Sequence, residues 1–464
     1  MVLLEMLCLR KGKRRSKQQP LHLLHLHHRK IQLLLALLLL LLLLAALAVW
    51  SRFSTSLSRY GYKYNSFQPH FHPKTNHTIK TKTHHQNTSS SSSSWEWNSA
   101  NEKTAPQVGQ PHSDPYHNWH LFATDFGEML QNFKIFVYAD VFVTKNNSFA
   151  DIFLPHPNPF NPKGGNYFSE HIFKVALLNS SLITLDPKQA NLFFLPFSIN
   201  KLRNDPRVHF EVSISDFVAG YTNKIRHEFP FWNASGGADH FYVHCHSVGR
   251  EAASKHHDLH NNAIQVTCSS SYFQRLYVTH KDVALPQVWP RQHHIPLVPP
   301  HARHKLVYYS GRVQNSAIRQ ELMTLWGNDT DMDLFNGRPP FPYEEGFRRS
   351  KYCLHVKGYE VNTARLSDAI HYGCIPVIIS NYYDLPFANV LDWAKFSVTI
   401  NQREIALLKK RVLSITKQDY LSMYHNLCHV RKHFVWHTAP RDYDSFYMTA
   451  YQLWLRRSTH RLSH

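Results

Sequence analysis

From Lys134 onward, short apolar runs alternate with longer stretches of mixed polarity. The runs KIFVY (134–138), NLFFLPF (191–197), DHFYVHC (239–245), KLVYYSG (305–311), KYCLHV (351–356) and IPVIIS (375–380) predict buried strands. Between them, residues 208–228, 317–326 and 363–371 carry helical patterns. Such alternation predicts parallel sheets of the α/β class. The stretch PRQHHIPLVPPHARHK, beginning at Pro290, has four prolines and no strand pattern. It predicts a hinge between two α/β domains, residues 132–290 and 291–460. Ligands in open α/β sheets bind at the carboxyl ends of strands, so two such domains facing each other predict a cleft.

The first 131 residues follow other patterns. Residues 31–50 hold twelve leucines and no charge; as a helix they reach about 30 Å, one hydrocarbon thickness. A cleaved signal peptide has a shorter apolar core and a small-residue cleavage site, whereas this run ends in Trp50. The segment is expected to be a transmembrane signal anchor. Residues 1–30 carry eight Lys/Arg and one acid, a balance of +7, which keeps this tail cytosolic and sends the rest of the chain into the lumen. Residues 51–131, with six consecutive serines at 89–94 and scattered His and Thr, are expected as a disordered stem.

Composition narrows the function. With 464 residues and 13% aromatics, most of the chain has the means to fold around a large core, which excludes a peptide hormone or a lone binding module. The total charge of +20 leaves +13 beyond the tail, spread without clustering. That favours anionic ligands and disfavours nucleic acid. Six N-glycosylation sequons begin at Asn76, Asn87, Asn146, Asn179, Asn233 and Asn328, suiting a secretory lumen. Five cysteines follow the anchor, so at least one is unpaired within the chain.

Candidate chemistry gathers in the second domain. Gly311 ends a predicted strand and precedes Arg312, a pair that lets backbone approach a phosphate while a guanidinium clamps its oxygens. In residues 351–380 a strand leads through a Gly-Tyr-Glu loop, with Tyr359 and Glu360, into a helix bearing Arg365 and Asp368 three residues apart. Arg365 joins the helix dipole in holding a diphosphate, and Asp368 accepts from ribose hydroxyls. A surface ion pair is the plainer reading of the same two residues.

The strings FWNASGGADHFYVHCHSVG (231–249), KDVALP (281–286), YYSGR (308–312), SKYCLHVKGYEVNTARLSDAIHYGCIPVIIS (350–380) and YYDLPFANVLDW (382–393) resemble the exostosin-like glycosyltransferases of plants. The resemblance implies a GT-B fold, two Rossmann-like domains facing a cleft, in a type II Golgi membrane protein. It implies inverting transfer from a nucleotide sugar, expected as a UDP-sugar, to a cell-wall polysaccharide such as xylan or pectin, with no metal cofactor. Pairing with other Golgi glycosyltransferases is a further implication, and a non-catalytic lumenal scaffold is the alternative function. Three positions depart from the family pattern. Ser247 and Val248 stand where Asp-Trp is common, Asp368 where Glu is usual, and Val356-Lys357 where Pro-Ser is usual.

Inversion needs a base on the acceptor side of the cleft. His246, after the third predicted strand, titrates near neutrality. Glu170, early in a helix, and Asp239, at the start of that strand, are the other candidates. For metal, His256 and His260 have helical i,i+4 spacing but His257 stands where a metalloprotease has Glu. Asp331-Met332-Asp333 is expected at a strand edge.

Overall fold

The apolar runs pair into two parallel sheets of five strands each. The computed structural model describes residues 114–457 apart from 139–149, 157, 160–161, 211–212, 274–276, 292–294 and 315. The first sheet runs β1 (Ile135–Val137), β2 (Leu192–Phe194), β3 (His240–His244), β4 (Ile264–Thr267) and β5 (Val283–Ala284) in spatial order. Ile135 also bridges to Ile183 on the edge away from β2: its N–H donates to Leu182 O, and Thr184 N donates to its carbonyl. The chain therefore leaves β1 toward one side and returns to the other, so the strand order reverses there.

Strand periodicity splits this sheet's side chains between two layers. Phe194, Phe241 and Val243 join a core with Phe173 of α2 (Phe168–Leu178), whereas Phe193 and Tyr242 pack with Val218 and Tyr221 of α3 (Ile214–Glu228). The helix expected over 208–228 is in two pieces, a short turn at Pro206–Phe210 and then α3, which Ser213 caps by accepting from Asp216 N.

The second sheet holds β6 (Lys305–Gly311), β7 (Met332–Asn336), β8 (Ser350–Val356), β9 (Ile375–Ile379) and β10 (Val398–Thr399), in the order β10-β9-β8-β6-β7. From β6 the chain crosses through α4 (Ala317–Trp326) to β7, and returns through α5 (Tyr343–Arg349) to β8 on the other side. It then runs through α6 (Ala364–His371) to β9. The reversal lies between β6 and β8, at whose carboxyl ends a crevice opens. Two Rossmann-like lobes facing a cleft give the GT-B arrangement that the resemblance implied.

Two stretches depart from the expected divisions. Residues 114–131, expected as the end of the stem, are folded. Helix α1 (Trp119–Asn132) is capped by Asn118, which accepts from Leu121 N, and buries Phe122, Phe126 and Met129. These recur at i, i+4 and i+7, one helical face. The second departure is the last helix, α7 (Ser445–Arg456), expected within the second domain. It crosses back onto the first lobe, where Phe446 meets Phe173 at 5.5 Å between ring centroids and Trp454 meets Phe133 at 5.8 Å. Tyr451 Oη and Trp454 Nε1 both donate to the Asp125 carboxylate of α1, each at 2.9 Å. The leucine-rich segment, the basic tail and the stem up to residue 113 lie outside the described residues. Among the described residues no helix is long and apolar enough to cross a membrane.

Two buried histidines hold segments in place, His433 joining the segment before α1 to that before α7, and His355 of β8 holding the loop that follows it. His433 donates from Nδ1 to Tyr443 O and accepts from Tyr116 Oη; His355 donates from Nε2 to Val361 O and accepts from Thr363 Oγ1. Burial pushes both imidazoles down to about 3. Below about 6.5 an unfolded imidazole takes a proton that the folded one refuses, so stability present above that pH is lost as pH falls. Each histidine is expected to cost about 2 kcal/mol of stability on going from pH 7.5 to 5. Urea unfolding at the two pH values checks this, and a midpoint that does not move would contradict it.

Candidate functional site

A cavity of about 1000 Å³ opens at the carboxyl ends of β6 and β8 and is closed on the far side by the first lobe. All six donor-side candidates, Gly311, Arg312, Tyr359, Glu360, Arg365 and Asp368, line it. The first lobe contributes Asn166, Tyr167, Gln287 and Trp289. Beneath them Asn362 Nδ2 donates to Gln287 Oε1 at 2.8 Å, a buried bond between the lobes.

Arg365 sits in the first turn of α6, where free backbone N–H groups already favour an anion. Its Nε donates to Ser310 O at 2.6 Å and its guanidinium lies 5.3 Å from the centroid of the Tyr309 ring. The terminal nitrogens are left toward the cavity. Gly311 is needed for this placement: a Cβ there would lie 2.2 Å from Arg365 Nη2.

Arg319 was not singled out from the sequence. It lies 7% exposed on α4, with Nε and Nη2 donating to Val356 O and Nη1 to Arg312 O. One guanidinium thus holds the ends of β6 and β8 in register beneath the cavity. The only sequence signal was its spacing, three residues before the buried Leu322 on the same helical face. Arg312 and Arg338 stand exposed at the rim.

Asp368 is 2% exposed and already engaged. Oδ1 is paired with Arg291 from the interdomain segment, and Oδ2 accepts from Tyr343 Oη at 2.9 Å. The ribose hydroxyl expected at Asp368 would have to share an oxygen with one of these partners. Neither Arg291 nor Tyr343 was anticipated. Tyr359 is 85% exposed at the rim. Glu360 is half-buried, and its Oε2 accepts from Ser269 Oγ of the first lobe at 2.6 Å. No second hydrogen bond to its carboxylate is seen among the described residues. Its charge also reaches His246, opposing the lowering of that imidazole.

The three candidate bases are held apart. Asp239 lies at the amino end of β3, away from the cleft, where it accepts from Ser235 Oγ and contacts His240 Nδ1. Glu170 is buried in α2, accepting from Ser198 Oγ and Asn200 N beside Lys174. Burial pushes both members of that pair toward neutrality, Glu170 upward and Lys174 down to about 7. Glu170 lines a second cavity of about 390 Å³, which meets the first at Tyr167. His246 packs against Tyr167 in a tilted contact, 4.8 Å between ring centroids, and burial lowers its imidazole. Its Nδ1 accepts from Val248 N at 3.1 Å. This hydrogen bond assigns the proton of the neutral ring to Nε2, so the other nitrogen is a donor.

Disulfides pin the strands that carry these loops. Cys245–Cys268 joins residues just beyond β3 and β4, and Cys353–Cys374 joins β8 to the start of β9; Cys428 is unpaired. The histidine motif is dispersed: His256 caps the short helix His257–Asn261 through Leu259 N, while His260 contacts Asn261. Asp333, on the edge strand β7, pairs with Arg349 and Lys305, whereas Asp331 pairs with Lys409. Among the described residues no three His, Cys, Asp or Glu side chains converge as metal ligands.

Residues 129–415 match the family model described as the Exostosin GT47 domain. A "probable glycosyltransferase" of Arabidopsis thaliana is 31% identical over 360 residues, covering 75% of this chain and 73% of its own length. A "probable glucuronosyltransferase" of Oryza sativa subsp. japonica is 27% identical over 265 residues, covering 53% and 63% respectively. Among solved structures, the glycosyltransferase of kitacinnamycin is similar over 70% of this chain and 98% of its own, with a TM-score of 0.31 and 10% identity.

Proposed function

The chain belongs to the exostosin GT47 family and is a glycosyltransferase, and we propose that it transfers a sugar, with inversion, from a UDP-sugar to a cell-wall polysaccharide such as xylan or pectin. The observation that carries this reading is the arginine-lined cavity at the strand-order reversal of the second sheet. Arg312, Arg319, Arg338 and Arg365 surround a space beside the start of α6, while Asp368 is already paired with Arg291. A diphosphate is the ligand that such a surplus of fixed positive charge suits.

During transfer the arginines and the helix N-terminus stabilise the departing diphosphate, the role a divalent ion has in other glycosyltransferases. The acceptor hydroxyl approaches from the first lobe, gives its proton to the Glu360 carboxylate and attacks the anomeric carbon as the diphosphate leaves. Glu360, expected on the donor side, serves because its carboxylate lines the cleft with one partner, whereas Glu170 is engaged by Ser198 and Asn200 in the adjoining cavity and Asp239 lies at the far end of β3. The two disulfides suit an oxidising compartment and support residence in the Golgi lumen behind a single membrane anchor. The rice relative's name supports UDP-glucuronate among the donors.

The test is to incubate the full chain, in mild detergent, with UDP-glucuronate, UDP-xylose, UDP-arabinose and UDP-galactose. Slow UDP release from one of them is expected. Inertness toward all four, with no UDP binding, would replace this reading by the non-catalytic scaffold.

A further inference from the structure

Three large rings remain half exposed together at the carboxyl ends of strands from both lobes. Tyr272 and Phe273, each 48% exposed, follow β4, and Tyr382, 49% exposed, follows β9. Tyr382 stands between the other two, its ring centroid 5.7 Å from that of Tyr272 and 5.0 Å from that of Phe273. The backbone fixes them in place: Tyr272 N donates to Tyr382 O at 3.1 Å, and Ser271 bridges to Tyr383.

Two observations argue that the rings meet a ligand. Tyr382 holds φ at +62°, in the left-handed region that a tyrosine rarely adopts. Such backbone persists where surrounding structure enforces it and clusters at binding sites. Second, the segment that carries Tyr272 and Phe273 reaches the transfer cleft. Three residues before Tyr272, Ser269 donates to Glu360 Oε2 at 2.6 Å.

We propose that Phe273 and Tyr382, whose planes are 37° apart, form a ledge on which sugar rings of the acceptor polysaccharide stack, with Tyr272, at 80° to Tyr382, as its upright wall, guiding the chain end toward Glu360. This rests on the reading of the cleft as the transfer site. The axial C–H bonds of a pyranose make an apolar face that matches an aromatic face. All three side chains are uncharged, so the ledge selects a neutral backbone such as β-1,4-xylan over a polygalacturonate chain.

Affinity electrophoresis of the full chain in mild detergent, through gels containing soluble β-1,4-xylan or polygalacturonate, tests this. Xylan is expected to retard the wild-type chain more than polygalacturonate, with little sensitivity to salt. The double variant Tyr272→Ala/Phe273→Ala is expected to bind xylan about tenfold more weakly, with UDP affinity unchanged. Tyr382→Gly removes a ring and the backbone strain together. It is expected to lose xylan retention with an undiminished melting temperature, an outcome that a merely structural role for Tyr382 does not produce.

Retention of both variants like wild type would overturn the ledge, as would stronger retention by polygalacturonate. A wild-type chain that hydrolyses a UDP-sugar but ignores xylan would overturn the ledge and leave the transferase reading intact. Ledge-dependent retention without donor hydrolysis would support the ledge and count against that reading. A changed oligomeric state in the variants, with retention unchanged, would assign the rings to a protein partner and overturn the proposal.

Discussion

Glu360→Gln is expected to lower sugar transfer about 100- to 10,000-fold, the usual range for removing a general base, with UDP affinity unchanged. The amide keeps the size of the carboxylate, and its oxygen still accepts from Ser269 Oγ, so the loop between β8 and α6 has no reason to move. The lost property is the ability to take a proton. His246→Ala is expected to cost much less, because the nitrogen that His246 leaves open is a donor once Nδ1 accepts from Val248 N. Melting temperature, UDP affinity and transfer rate measured on one preparation of each variant separate these outcomes. A folded, UDP-binding Glu360→Gln protein with near-normal transfer would return the base to the first lobe, at His246 or Glu170.

Arg365→Ala should weaken UDP binding about 10- to 100-fold, from the loss of a charge-assisted contact worth about 1.5–3 kcal/mol. Gly311→Ala should reach a similar loss without touching a charge. The new methyl would fall 2.2 Å from Arg365 Nη2, and Arg365 is already held by Ser310 O and the Tyr309 ring. The guanidinium has to leave its place. Because both substitutions remove the same contact, the double variant should bind UDP no more weakly than Arg365→Ala alone. Calorimetric titration of UDP into the three variants decides it. Additive losses, or unchanged affinity in Arg365→Ala, would move the phosphates elsewhere in the cavity.

The second lobe was more legible in the sequence than the first, for a physical reason. Its strands and helices follow one another closely, and α4 covers the residues whose pattern predicted it, 317–326. Gly311 and Arg365 lie far apart in the chain but both sit where a strand gives way to a helix, a position that apolar runs reveal. Helix α1 was hidden because the spacing of Phe122, Phe126 and Met129 adjoins a long polar tract. The base was less legible still. Whether a histidine offers a lone pair or a proton depends on its partner for the other nitrogen. Whether Glu170 is available depends on Ser198, 28 residues away in sequence. Arg291 and Arg319 look like surface cations until the fold brings Asp368 and Val356 O to them.

The return of α7 to the first lobe bears on how the chain is made. Phe173 and Phe133 of the first lobe are covered by Phe446 and Trp454, which are synthesised only after the strands of the second lobe. While a ribosome is still adding the second lobe, the nascent first lobe exposes aromatic surface that its own completed strands and helices do not cover, a state prone to aggregation. Completion of the earlier half therefore waits until α7 has been made. A message truncated before codon 445 yields a product whose apolar flank must be shielded by chaperones, however complete its arginine-lined cavity.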